Sequence, residues 1–88
     1  MYTVKFIRNY DAGGYVVHSF SVPHYEVYRR SQSSVVTVTL YPNLFDTDGV
    51  ERHISDNESD YDVCFVENSR GKTIDHIQPT RLPKSAAA

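Results

Sequence analysis

Hydrophobic positions in this chain recur every second residue, not every third or fourth. Tyr2, Val4 and Phe6 alternate with Thr3, Lys5 and Ile7, the pattern of a strand covered well on one face and partly on the other. Asp11-Ala12-Gly13-Gly14 supplies residues that tolerate positive φ, and an extended run resumes from Tyr15 to Val22, so the two runs predict a hairpin. Pro23 ends the second run with a bend, because proline in a sheet belongs at an edge or a bulge. Residues 24–30 read two ways. Ser21 could cap a short helix that begins near Pro23, with Tyr25 and Tyr28 on one side. The alternation of Tyr25 and Val27 against His24, Glu26 and Tyr28 fits a strand, and the turn at Ser31-Gln32-Ser33-Ser34 favours it. Val35 to Tyr41 is the clearest strand, and Val50 to Ile54 is a weaker one. Tyr61–Glu67 and Lys72–Ile77 form a closing hairpin around Asn68-Ser69-Arg70-Gly71.

These segments predict an all-β fold of five to seven antiparallel strands, a small partly closed barrel of SH3-like or OB-like type. An α+β arrangement with one short helix near 23–30 is the alternative. The expected core is Val4, Phe6, Val17, Phe20, Val36, Val38, Leu40, Val63 and Phe65. Closing the sheet would also remove the exposed edges that a chain rich in valine and tyrosine otherwise presents.

Length fits a single domain over 1–80, followed by a disordered tail at 81–88. Lys84-Ser85-Ala86-Ala87-Ala88 reads as a natural tail or as a scar left by an expression vector. The lone Cys64 excludes an internal disulfide and fits a reducing, cytoplasmic setting. No apolar run is long enough to span a membrane as a helix. Nine basic against eleven acidic side chains, net charge −2, argue against a dedicated binder of long nucleic acid.

Gly71-Lys72-Thr73 raises the question of a phosphate-binding loop. Such a loop needs a glycine five residues before the Gly-Lys pair, after a strand and before a helix; here that position is Val66, inside a strand. Gly71 is better explained as the positive-φ residue of the hairpin turn. Asp56, Glu58 and Asp60, with Glu67 at the twelfth position, imitate a calcium loop, but Tyr61 stands where that loop requires glycine. The acidic stretch around Asp56, Glu58, Asp60 and Asp62 reads as a solvated loop, or as a negative surface that docks on a basic patch of a partner protein. The histidines and Cys64 lack the close spacing of structural zinc sites, and Cys64 between Val63 and Phe65 reads as a small buried hydrophobe. No serine elbow or catalytic Cys/His context is present, so the expectation is a protein that is not an enzyme, with no metal and no cofactor.

The most interesting cluster is Tyr25, Tyr28, Arg29 and Arg30. Tyrosine and arginine dominate protein–protein hot spots, and arginine forks also bind phosphate. A protein-binding surface at these four residues is the leading expectation, with Asp56, Glu58, Asp60 and Asp62 as a second surface. Arg29, Arg30 and Lys72 would serve a small phosphorylated ligand, a nucleotide or cyclic dinucleotide. A small barrel that binds single-stranded nucleic acid is a third reading, and a paired edge strand would allow a homodimer.

At Val63 to Asp75 the chain resembles the closing hairpin of small accessory or early proteins of tailed bacteriophages, which carry an apolar strand, a polar turn and Gly-Lys-Thr before a final strand. The likeness covers about a sixth of the chain. It implies a viral protein in host cytoplasm that binds and modulates or inhibits a host protein, and it brings no catalytic residue with it.

Overall fold

The structure, a computed structural model, describes residues 1–8, 13, 15–43, 48–57 and 59–80, with the backbone alone at 15. Seven strands follow in chain order: β1 (Tyr2–Arg8), β2 (Tyr15–Val22), β3 (His24–Arg29), β4 (Val36–Tyr41), β5 (Val50–Ile54), β6 (Val63–Glu67) and β7 (Thr73–Ile77). All strand pairings are antiparallel. One sheet has four strands in the order β2-β1-β6-β7, and the other has three in the order β3-β4-β5. Among the described residues there is no helix, and none that could cross a membrane.

The helix weighed for 23–30 is therefore β3. Its whole length pairs with β4, from His24↔Tyr41 to Arg29↔Val36. A strand puts Tyr25 and Val27 on the inner face beside Leu40 and Val38, whereas a helix would turn them to different sides. The barrel expectation holds only as far as an all-β antiparallel fold, because no closed barrel is formed among the described strands. The two sheets instead keep edge strands at β2 and β7, and at β3 and β5. They are connected at a corner, since β2 runs into β3 through Pro23. A parallel bridge between Ile54 and Tyr61 joins the end of β5 to the approach to β6. There Tyr61 N–H donates to the His53 carbonyl and Ser55 N–H to the Tyr61 carbonyl.

The core lies between the sheets. It is formed by Val4 and Phe6 of β1, Val22 of β2, Val36, Val38 and Leu40 of β4, Ile54 of β5, Tyr61 on the approach to β6, Cys64 and Val66 of β6, and Ile77 of β7. Val17 and Phe20 are partly buried against that cluster. Phe65 is a correction to the expected core. It opposes Lys5 on the outward face of the four-stranded sheet, half-buried, and stacks on His76 with ring centroids 4.4 Å apart. The reason is that β6 is apolar on both faces, so alternation alone cannot choose its inner side. Its register with β1 does: Val4 faces Val66 and Phe6 faces Cys64. Val63 is buried as expected, but on the outward face opposite Ile7.

Gly71 has φ 79°, as the hairpin reading required. Asn68 organises that turn, its side-chain oxygen accepting from the Arg70 and Lys72 amides while its own amide donates to the Lys72 carbonyl. The expected tail at 81–88 and most of the first glycine turn lie outside the described residues.

Candidate functional site

Every second residue of β3, β4 and β5 points away from the core, and together these residues build a groove on the outer face of the three-stranded sheet. Register places Glu26 beside Thr39, Tyr28 beside Thr37, and Thr37 and Thr39 beside His53 and Glu51. With Arg30, Tyr41, Asp48 and Gly49 they line a groove of about 580 Å³. Tyr28 is 59% exposed, the most exposed large aromatic side chain among the described residues.

Polar contacts order one end of the groove. Tyr41 donates its hydroxyl to Glu26 Oε2 at 3.2 Å, and the His24 ring leans on Tyr41 with centroids 5.3 Å apart. His24 Nε2 also lies 3.4 Å from Glu26 Oε1. Desolvation, the hydrogen bond to Glu26 and the carboxylates of Glu26 and Glu51 raise the Tyr41 phenol above its ordinary pKa. Gly49 forms part of the floor. A Cβ there would overlap Thr39 Cγ2 and come within 3.0 Å of the Leu40 carbonyl, so only glycine lets this segment lie so close to β4. Glu26, Asp48 and Glu51 outnumber Arg30 in the groove, which makes it an acidic surface with two tyrosines.

The strand divides the expected Tyr25, Tyr28, Arg29 and Arg30 cluster by parity. Tyr28 and Arg30 face the groove, whereas Tyr25 and Arg29 point toward the other sheet. Tyr25 donates to Asp75 Oδ2 at 3.2 Å and meets Tyr2 edge-on at 5.2 Å. Desolvation, with Asp75 second, pushes its pKa up to about 12. Arg29 donates to the Gln78 carbonyl and to Thr80 Oγ1, fastening the segment after β7. Lys72 precedes the first residue of β7, so the five residues of that strand, roughly 17 Å, separate it from the Arg29 contacts. Arg29, Arg30 and Lys72 do not converge on one ligand.

The acidic segment is a turn bonded to itself more than an open surface. Ser55 Oγ donates to Asp60 Oδ2 at 2.7 Å and accepts from the Asn57 amide, while Asn57 Oδ1 accepts from the Ser59 amide and hydroxyl. Asp62 donates its amide to the Ile7 carbonyl. Asp56 is exposed, and Glu58 lies outside the described residues. Among the described residues no three His, Cys, Asp or Glu side chains group as metal ligands. Cys64 is a fully buried free thiol, its pKa pushed up to about 12 by burial and then by Asp75. It has neither the exposure nor the thiolate character of a nucleophile at neutral pH.

Sequence reasoning missed Glu26, Tyr41, Asp48, Glu51 and His53 as groove residues. Alternation placed each strand residue among them on one face, but the neighbour relation of β3, β4 and β5 is what brings them together. Comparison with protein-family models, curated proteins and solved structures found no match.

Proposed function

We propose that this chain is a non-enzymatic protein-binding module whose groove on the outer face of β3-β4-β5 receives a Lys/Arg-bearing segment of a partner protein. The observation that carries the reading is the groove itself: exposed Tyr28, with Tyr41, set among Glu26, Asp48 and Glu51. Tyrosines contribute contact area at low entropic cost, and carboxylates in excess of basic side chains on a rigid sheet select positive charge. The supporting surface is rigid because its inward side is core, with Val36, Val38 and Leu40 buried beneath it. The SH3-like or OB-like arrangement belongs to the same proposal, supported by the continuous β2–β3 corner and the Ile54–Tyr61 bridge. So does a phage accessory role in host cytoplasm, supported only by the closing-hairpin resemblance, with a host protein as the partner.

The test is a nuclear magnetic resonance titration of the labelled protein with a synthetic Lys/Arg-rich peptide of about eight residues, an Asp/Glu-rich peptide serving as control. Saturable shifts centred on Glu26, Tyr28, Glu51 and His53, absent with the control and abolished in Glu51→Lys, support the reading. Shifts that scatter over the surface, or that survive charge reversal at Glu51, overturn it. For the natural partner, a photo-crosslinker at position 28 in bacterial lysate should capture a protein at a basic segment, and the cross-linked peptide must carry that charge.

A further inference from the structure

The groove on the outer face of β3-β4-β5 is uneven in charge along its length. Thr39 of β4 has Glu26 of β3 on one side and Glu51 of β5 on the other, and two residues away Thr37 has Tyr28 and His53. Asp48 belongs to the carboxylate end, because Gly49 beside it lies against Thr39 and Tyr41. Arg30, which follows the last residue of β3, lines the opposite end. The groove therefore runs from carboxylates, past an exposed tyrosine, to a guanidinium. Glu26 is held at its end by the Tyr41 hydroxyl, 3.2 Å from Oε2, so the negative charge there is fixed in position.

Side-chain length makes this a channel along β4. Thr37 and Thr39 are short, while Glu26, Tyr28, Glu51 and His53 stand taller on the flanking strands, so the depression follows the middle strand. β4 is paired on both sides, which commits its backbone groups and leaves recognition to side chains. An occupant lying along it is extended, with alternate residues facing the same side at roughly 3.3 Å per residue. Glu26 and Arg30 are four positions apart, roughly 13 Å. Residues i and i+4 of an extended occupant therefore meet the two ends of the groove together, and i+2 lies over Tyr28. Residues i and i+3 point to opposite sides and cannot.

We propose that the partner segment carries a cation and an anion at a fixed spacing. Lys or Arg at i meets Glu26 and Glu51, Asp or Glu at i+4 meets the Arg30 fork, and an apolar residue at i+2 lies on Tyr28. This sequence rule rests on the binding of a Lys/Arg-bearing segment in the groove, proposed above, and Arg30 is the residue that sets it.

The test is a titration of the labelled protein with two end-capped peptides of identical composition, Ser-Ser-Lys-Ser-Leu-Ser-Glu-Ser-Ser and Ser-Ser-Lys-Ser-Leu-Glu-Ser-Ser-Ser, with a Lys/Arg-rich peptide as a third arm. The first, with its charges at i and i+4, should bind about threefold tighter or more than the second, the scale of one exposed ion pair, and its shifts should reach Arg30 as well as Glu26 and Glu51. Arg30→Gln should make the two peptides equal, and Arg30→Glu should reverse their order. Arg30 is exposed, so both variants should keep the rest of the amide spectrum. If the Lys/Arg-rich peptide binds in the groove while the other two bind equally or not at all, the spacing rule is overturned and the groove reading stands. No saturable shift below about 10 mM of any of the three overturns both. A preference for the first peptide that persists in Arg30→Glu overturns the rule as well.

Discussion

Tyr25 on the three-stranded sheet and Asp75 on the last strand of the four-stranded sheet are joined by a hydrogen bond of 3.2 Å. Asp75 stands opposite Val66, on the inward face of its sheet, so its carboxylate enters the gap between the sheets and the phenol meets it there. Tyr25→Phe should therefore lower stability by about 1–2 kcal/mol, the cost of leaving a half-buried carboxylate without its donor. Urea denaturation measures it. If Asp75→Asn costs as much on top of Tyr25→Phe as it does in wild type, the two residues act independently and the bond contributes nothing.

Burial raises the Cys64 thiol from 9.0 to about 12, so the folded state holds its proton more tightly than the unfolded chain does. Stability from this group is complete below pH 9, and it declines as pH rises from 9 toward 12, where the unfolded thiol ionises and the folded one does not. Melting temperature followed across that range should fall less steeply in Cys64→Ala than in wild type. At neutral pH a disulfide reagent should label Cys64 only as fast as the protein opens, and at once in denaturant.

Glycine at position 49 should tolerate no side chain. Gly49→Ala should cost about 1–3 kcal/mol, since the new methyl overlaps Thr39 and crowds the Leu40 carbonyl. Gly71→Ala meets no atom within 4 Å and carries only the cost of φ 79°, about 1 kcal/mol. Equal losses at the two positions would show that the segment at 49 moves aside.

The register of β6 can be read from two truncations. Val66→Ala empties a site that is 0% exposed and should cost about 2 kcal/mol. Phe65→Ala, although it removes a far larger side chain, should cost no more, because the ring lies on the outward face against His76. A markedly larger loss at Phe65 would place the core on the other side of β6.

Strand positions were legible from alternation because each run is bounded by turn residues, and Gly71 was legible from its turn chemistry. The inner face of β6 was not, since Val63, Cys64, Phe65 and Val66 are all apolar and only pairing with β1 tells them apart. The division of Tyr25 and Arg29 from Tyr28 and Arg30 follows from the same period of two, once residues 24–29 are a strand. The order of charge along the groove had no signature in the sequence. Glu26 and Glu51 come from different strands, and only the pairing of both with β4 puts them on either side of Thr39.

The place of β1 between β2 and β6 has a consequence for how the chain is made. On a ribosome the first strand emerges with β2 as its only early partner, and its other edge waits until residues 63–67 have been synthesised. The ion pair between Lys5 and Glu67, 62 positions apart, can close only then. Val4 and Phe6 must stay without the cover of Val66 and Cys64 until β6 has emerged, a window in which an unpaired apolar strand is open to wrong partners. Folding of the four-stranded sheet is therefore a late event, and a nascent chain stalled before β6 would hold the β1-β2 hairpin and all three strands of the β3-β4-β5 sheet but not the core between the two sheets.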